Sequence, residues 1–136
     1  MKIFLACSKH FYNKIPPIEK KLKIMGHKIT LPNSYEEPFA EERLKEVGKD
    51  EHIKFKQEMM KLHEPKIKMN DAVLVLNFEK KGIPNYIGGA TFMEVIKAWE
   101  MNKQIFLINQ LPKCSFTDEL IGINPTIING DLTKIK

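Results

Sequence analysis

The sequence holds no apolar run near the roughly 18 residues that a membrane-spanning helix needs. Its opening segment, Lys2-Ile3-Phe4-Leu5-Ala6, is too short for the apolar centre of a signal peptide. A cytoplasmic protein without membrane contact is therefore expected. Cysteine is scarce: Cys7 and Cys114 lie far apart and form no C-x-x-C pair, which argues against a zinc site or a redox motif and for two reduced thiols. The four histidines, His10, His27, His52 and His63, include no H-x-x-x-H spacing, so no metal is expected. The glycines match neither the Walker P-loop nor the dinucleotide fingerprint, which excludes a P-loop nucleoside triphosphatase and a nicotinamide dehydrogenase. No organic cofactor is called for. Internal repeats and low-complexity segments are absent too.

What remains is the composition of an ordinary globular chain. With 136 residues, 43% of them hydrophobic and 29% charged, the sequence fits one domain spanning 1–136 with a real core. The net charge of +5 comes from a scattered lysine excess, interleaved with acidic residues between Glu36 and Glu64. Such a surface is a solvated one; it does not indicate nucleic-acid binding, although it favours a phosphorylated small ligand.

Ile3-Phe4-Leu5-Ala6-Cys7 is a continuous apolar run ending at Ser8, the pattern of a strand buried on both faces in a parallel sheet. Ile15, Ile18, Leu22 and Met25 recur at helical spacing. Pro16 and Pro17 suit a first turn and Gly26 a stop, so a helix is predicted over about 16–25. A short strand follows at 27–31, closed by the turn-forming Pro32-Asn33-Ser34. From Glu36 to Lys68 the pattern predicts one or two amphipathic helices broken near Gly48. Ala72-Val73-Leu74-Val75-Leu76 is the clearest central strand, Ile105-Phe106-Leu107-Ile108 the next, and a helix over about 90–101 separates them; a last short strand is expected at 125–128. Strands alternating with helices imply an α/β fold with a doubly wound parallel sheet.

In open α/β sheets ligands bind beyond the carboxyl ends of the strands. Two loops qualify: Ala6 to Tyr12 after the first strand, with the hydroxyls of Ser8 and Tyr12, and Asn77 to Thr91 after the central one. The second carries Gly88-Gly89 immediately before a helix, where backbone can approach an anion or a sugar. Thr91-Phe92-Met93-Glu94 has the form of a capping box, in which Glu94 would only satisfy a backbone donor. On a helical wheel, however, Phe92, Val95, Ile96 and Trp99 form the core stripe, while Glu94 shares a third stripe with Ala90, Ala98 and Met101 that suits a cleft or a subunit contact. A carboxylate so placed could act on a sugar carbon or bind ribose hydroxyls. Asp71 opens the central strand, where a carboxylate also serves to bind neighbouring backbone.

Three segments together resemble the nucleoside 2-deoxyribosyltransferase family: Ile3-Phe4-Leu5-Ala6-Cys7-Ser8, Asn70-Asp71-Ala72-Val73-Leu74-Val75-Leu76, and Gly88-Gly89-Ala90-Thr91-Phe92-Met93-Glu94 with Ala98 beyond. Asn102-Lys103-Gln104-Ile105-Phe106-Leu107 resembles the strand after that family's catalytic helix. The resemblance implies a flavodoxin-like, three-layer fold with a five-stranded parallel sheet. It also implies a glutamate, here Glu94, that attacks C1′ of a 2′-deoxynucleoside, after which a base or water takes the sugar. Related deoxynucleoside 5′-monophosphate N-glycosidases hydrolyse their substrates on the same fold. Carried over, Ser8 and Gly89 would contact phosphate or sugar, and Tyr12 would wall the pocket. Two positions depart from the family pattern: a catalytic aspartate eight residues before the strand Asp71 is here His63, and one six residues before the glutamate is here Gly88. An offset would bring Glu64 or Asn85 into those places.

The expected site is thus Glu94, Asp71 and His63 for chemistry, with Ser8, Tyr12, Asn85, Gly88 and Gly89 for a nucleoside or nucleotide. The resemblance further implies a homodimer or larger homo-oligomer in which a neighbour completes each pocket. The competing readings are a nucleotide-binding module of the same fold that lacks the chemistry, and a flavin-carrying protein.

Overall fold

The computed structural model describes residues 1–136. Five strands, β1 (Lys2–Ala6), β2 (Lys28–Thr30), β3 (Ala72–Val75), β4 (Gln104–Leu107) and β5 (Thr126–Ile127), form one parallel sheet in the order β2-β1-β3-β4-β5. This is the flavodoxin-like order, with the winding direction reversing between β1 and β3. The central pair is in register from Ile3 opposite Ala72 to Ala6 opposite Val75.

Side chains alternate across a strand, so each strand feeds two cores. Ile3, Leu5, Leu74, Leu76 and Phe106 point to one face, where they pack with Ile15 and Leu22 of helix α1 (Ile15–Ile24) and with Ile128 and Ile135 near the chain end. Phe4, Ala6, Val73, Val75 and Leu107 point to the other. There they meet Ile67 of α4 (His63–Lys68), Val95 and Ala98 of α5 (Gly89–Glu100) and Leu120 of α6 (Thr117–Ile123). Every residue from Ala72 to Leu76 is fully buried, which is why the sequence there is continuously apolar.

Helix α1 begins with Pro16 and Pro17 in its first turn, where a missing N–H costs nothing, and stops before Gly26, whose φ of 95° ends the helix in the left-handed region. The charged stretch resolves into α2 (Ala40–Val47), α3 (Lys49–Lys61) and α4, with the break at Gly48 where the sequence predicts one. Neither α2 nor α3 has a buried residue, so their half-exposed faces lean on each other and on the loop regions. Sequence patterning does not reveal α6 or the 3-10 turn at Lys9–Lys14, because both are short and bury one residue each.

Asp71 is found at the amino edge of the sheet. Its carboxylate accepts a hydrogen bond from the Lys2 N–H at 2.8 Å, and its own N–H donates to the Lys2 carbonyl at 2.8 Å. It zips β1 to β3 at the end opposite the site-bearing loops, which corrects its assignment to the chemistry. Asn77 serves the carboxyl edge. Wholly buried, it donates through Nδ2 to the Gln110 carbonyl at 2.8 Å and accepts at Oδ1 from the Asn109 N–H at 3.0 Å, while Asn109 Nδ2 donates to the Asn77 carbonyl at 3.1 Å. This clip holds together the chain segments leaving β3 and β4. Asn77→Ala leaves the Asn109 N–H and the Gln110 carbonyl without these partners, and a loss of about 2–3 kcal/mol in urea unfolding is expected; a loss under about 1 kcal/mol would show the clip to be dispensable.

Candidate active site

A cavity of about 270 Å³ opens beyond the carboxyl ends of β1 and β3, where the strand order reverses. One side is the first loop, Cys7 to His10 and Tyr12; the opposite side is the start of α5, Gly88 to Thr91. Asn33 and Ser34 after β2 and Glu41, Phe55, Lys56 and Met59 of the α2–α3 pair close it, with His63 and Glu94 in its wall. Ser8, Tyr12, Gly88, Gly89, His63 and Glu94 are therefore brought together as the sequence suggests. Asn85 is not among the lining residues; it holds a left-handed turn with φ 56°. Glu64 is exposed and also stands outside the cavity wall.

Helix α5 settles what Glu94 is not. The N-cap is Gly88, in extended conformation, with no side-chain cap, so Thr91 already lies within the first turn and the capping-box reading fails. The buried stripe is Thr91, Glu94, Val95 and Ala98, one position round from the expected one. Trp99, predicted to be core, is 54% exposed, and Phe92 is half-buried against Phe116 with ring centroids 4.2 Å apart. The reason is that the helix is docked by its small residue Ala98, which lets the backbone approach the sheet and turns the bulkier side chains outward. Ala98 is thereby committed to the protomer core and cannot serve a subunit contact.

Glu94 is 7% exposed and has no hydrogen bond within the protein. Its nearest basic partner is His63, with Nε2 3.8 Å from Glu94 Oε2. Burial pushes the Glu94 carboxyl up to about 8, against a downward pull from the Lys66 ammonium. Burial, followed by the charges of Lys56 and Lys97, holds His63 below its usual range. At neutral pH the two are thus a protonated carboxyl beside a neutral imidazole.

The neighbours stay protonated. Burial, reinforced by Glu94, raises the Cys7 thiol to about 12, so it is no nucleophile near neutrality. Tyr12 is raised by burial and then by Cys7 and Glu94, leaving its hydroxyl a donor. The second carboxylate of the cavity, Glu41, is one that sequence reasoning misses. Burial alone would raise it, but Lys56 Nζ at 3.0 Å and His52 Nε2 at 3.1 Å, both on Oε2, hold it below the ordinary carboxylate range.

Cations gather beside the first loop and the start of α5. Lys80 Nζ lies 4.4 Å from the Tyr86 ring centroid, and desolvation together with Lys80, Lys81 and Lys9 keeps His10 below its usual pKa. Lys9 is itself paired with Glu42. Beside these cations the uncapped first turn of α5 presents its free N–H groups. The missed wall residues Phe55 and Met59 had a legible signal: they stand four positions apart, on one face of α3.

Burying Glu94 has a thermodynamic consequence with a definite sign. Between about pH 4.5, its ordinary value, and about 8 the unfolded chain gives up this proton while the folded chain keeps it, so stability falls as pH rises through that window. Glu94→Gln removes the titration. Its gain in stability over the parent is expected to grow from near zero at the acid end to roughly 4 kcal/mol at the alkaline end, measured by denaturant unfolding at several pH values; a pH-independent difference refutes the burial account.

No family model and no curated protein matches the chain. Among solved structures it is similar to a 2-deoxyribosyltransferase from Bacillus psychrosaccharolyticus, at TM-score 0.54 and 21% identity over 79% of this chain and 71% of that one. It is also similar to the Clostridium botulinum CMP N-glycosidase BcmB, at TM-score 0.57 and 19% identity over 94% of this chain and 87% of that one. At these identities the likeness is one of fold: a five-stranded, flavodoxin-like α/β sheet.

Proposed function

We propose that this chain is a nucleoside 2-deoxyribosyltransferase-like enzyme that cleaves or transfers the N-glycosidic bond of a 2′-deoxynucleoside or its 5′-monophosphate, with Glu94 as nucleophile. The observation that carries the reading is Glu94 itself: a carboxyl 7% exposed, without a hydrogen bond, in the wall of the cavity at the strand-order reversal. A fold gains nothing by burying such a group, and costly buried ionisable groups gather where chemistry needs them. The two fold neighbours, a 2-deoxyribosyltransferase and a CMP N-glycosidase, support the reaction class.

The cavity is suited to such a substrate along its whole length. Ser8, the backbone N–H groups at Gly89 and Ala90, and the Lys80 ammonium form an end that favours a phosphate or sugar hydroxyls. Phe55 and Met59 give the α3 side an apolar surface for a base. With the sugar between them, a Glu94 carboxylate oxygen forms a bond to C1′ as the bond from C1′ to the base nitrogen breaks, its electron pair leaving with the base. A water or a second base then attacks C1′ and releases the carboxylate. The cavity needs no metal in this scheme.

Base release or exchange from a panel of deoxynucleosides and deoxynucleoside 5′-monophosphates, with and without an acceptor base, tests the reading by chromatography. Glu94→Ala is expected to lower turnover by at least about 10³. Tight nucleotide binding in calorimetry without turnover would instead support the binding module. Lys80→Ala is expected to raise KM for the monophosphate by about tenfold while leaving the nucleoside KM unchanged; equal effects on both would remove Lys80 from the phosphate end. Assembly into homodimers or larger is part of the same proposal and is read by light scattering.

A further inference from the structure

Resting on that reaction, we infer that His63 is the group that takes the proton from Glu94 and hands it to the departing base, so that one proton shared by the two side chains both frees the nucleophile and supplies the acid. His63 Nε2 is 3.8 Å from Glu94 Oε2, about 0.6 Å beyond hydrogen-bonding range, a gap that a side-chain rotation closes when substrate arrives. Both side chains are buried in the cavity wall. His63 opens α4 directly after α3 and lines the same cavity as Phe55 and Met59, the apolar surface on which a base would rest, so the nucleophile's partner and the base share one wall.

Three other titratable groups of the wall are unsuited to this task. Glu41 is ionised and engaged by Lys56 and His52, so it has no proton to give. Cys7 and Tyr12 both have raised pKa values and hold their protons through the neutral range. The charges facing the pair are cations from three helices: Lys56 of α3, Lys66 of α4 and Lys97 of α5. Lys66 favours a Glu94 carboxylate, whereas Lys56 and Lys97 disfavour an imidazolium. Burial of both side chains outweighs the pull of Lys66, and the ground state keeps the proton on Glu94.

The reaction itself moves the proton. As the bond from C1′ to nitrogen stretches, positive charge on the sugar favours the Glu94 carboxylate and negative charge on the base favours a proton donor beside it. The carboxyl proton passes to His63 as the carboxylate oxygen bonds to C1′, and His63 passes it to the base, which leaves neutral. In the second half neutral His63 takes a proton from the attacking water, whose oxygen bonds to C1′ as the bond from Glu94 breaks. The hydrolytic cycle closes when His63 returns that proton to Glu94.

A leaving-group series separates this role from a structural one. Within the base class that the parent accepts, substrates are graded by how little they need an acid: uracil, 5-fluorouracil and 5-nitrouracil, or guanine and 7-methylguanine. His63→Gln is expected to lower kcat/KM by about 10²–10⁴ for the poorest leaving base and by less than tenfold for the best. Glu94→Ala should abolish turnover of the whole series. The pH profile gives a second readout. The parent with a poor leaving base should show a bell whose alkaline limb follows loss of the last proton of the pair, near 8, whereas His63→Gln with the best leaving base should rise through that pH and level off. Equal slowing of all substrates, no slowing, or an alkaline limb that survives in His63→Gln overturns the role of His63. A parent that releases no base from any substrate overturns the proposed reaction itself, and the two failures are told apart by the parent alone.

Discussion

The pairing of β1 with β3 is the constraint from which the rest of the molecule follows. These strands run parallel through the middle of the sheet, each covered on both faces, with Ile3 to Ala6 locked opposite Ala72 to Val75. Because β2 lies on one side of them and β4 on the other, the chain leaving β1 and the chain leaving β3 turn to opposite faces, and a crevice must open between the two turns. Polar residues at both edges pin this geometry. Asp71 joins the strands at the amino edge, and the Asn77 and Asn109 side chains bind the segments leaving β3 and β4 at the carboxyl edge. The cavity is thus positioned by the most rigid part of the fold, while its contents come from loops and helix starts.

That rigidity is what permits Glu94 to stay where it is. A carboxyl largely withdrawn from solvent and given no hydrogen bond by the protein destabilises a small domain by an amount comparable to a sizeable part of its total stability. Here Val95 and Ala98 on the same helix sit against Val73, Val75 and Leu107, so the backbone of α5 cannot swing outward to solvate the side chain. The small Ala98 brings the helix close, and the closeness buries Glu94. Packing and electrostatics are coupled through one helix face, and relief of the second would require breaking the first.

The sequence discloses those parts that are long, periodic or continuously apolar. The central strands, the first helix, the α5 helix and the break at Gly48 are legible because burial on two faces or one dictates residue type at every step. Rotation of α5 is not legible, since Trp99 and Phe92 outrank Thr91 and Ala98 on any hydrophobicity scale although the smaller pair is the one buried. Of the site, Ser8, Tyr12, Gly88, Gly89, His63 and Glu94 can be picked out, but Asp71 cannot be dismissed, because an aspartate at a strand edge looks the same whether it zips backbone or handles protons. Glu41 and Lys80 escape notice for the converse reason. A charged residue in a charged helix, or a lysine in a lysine-rich loop, carries no mark of the crevice toward which the tertiary fold turns it.

Two carboxylates share the cavity, and their surroundings drive them apart. Glu41 lies between an imidazole and an ammonium and is held ionised; Glu94 is buried beside His63 and is held neutral by that burial against the pull of Lys66. When environments separate like groups in this way they separate their tasks. A group already ionised and engaged by an ammonium and an imidazole stabilises charge and orients ligands, and it is a poor nucleophile because attack would strip it of both partners. A neutral buried carboxyl becomes a strong nucleophile once it loses its proton, since no hydrogen bonds need to be broken first. For the proposed reaction the division suits Glu94 to bond-making and Glu41, on the α2–α3 wall, to holding charge and orienting polar groups.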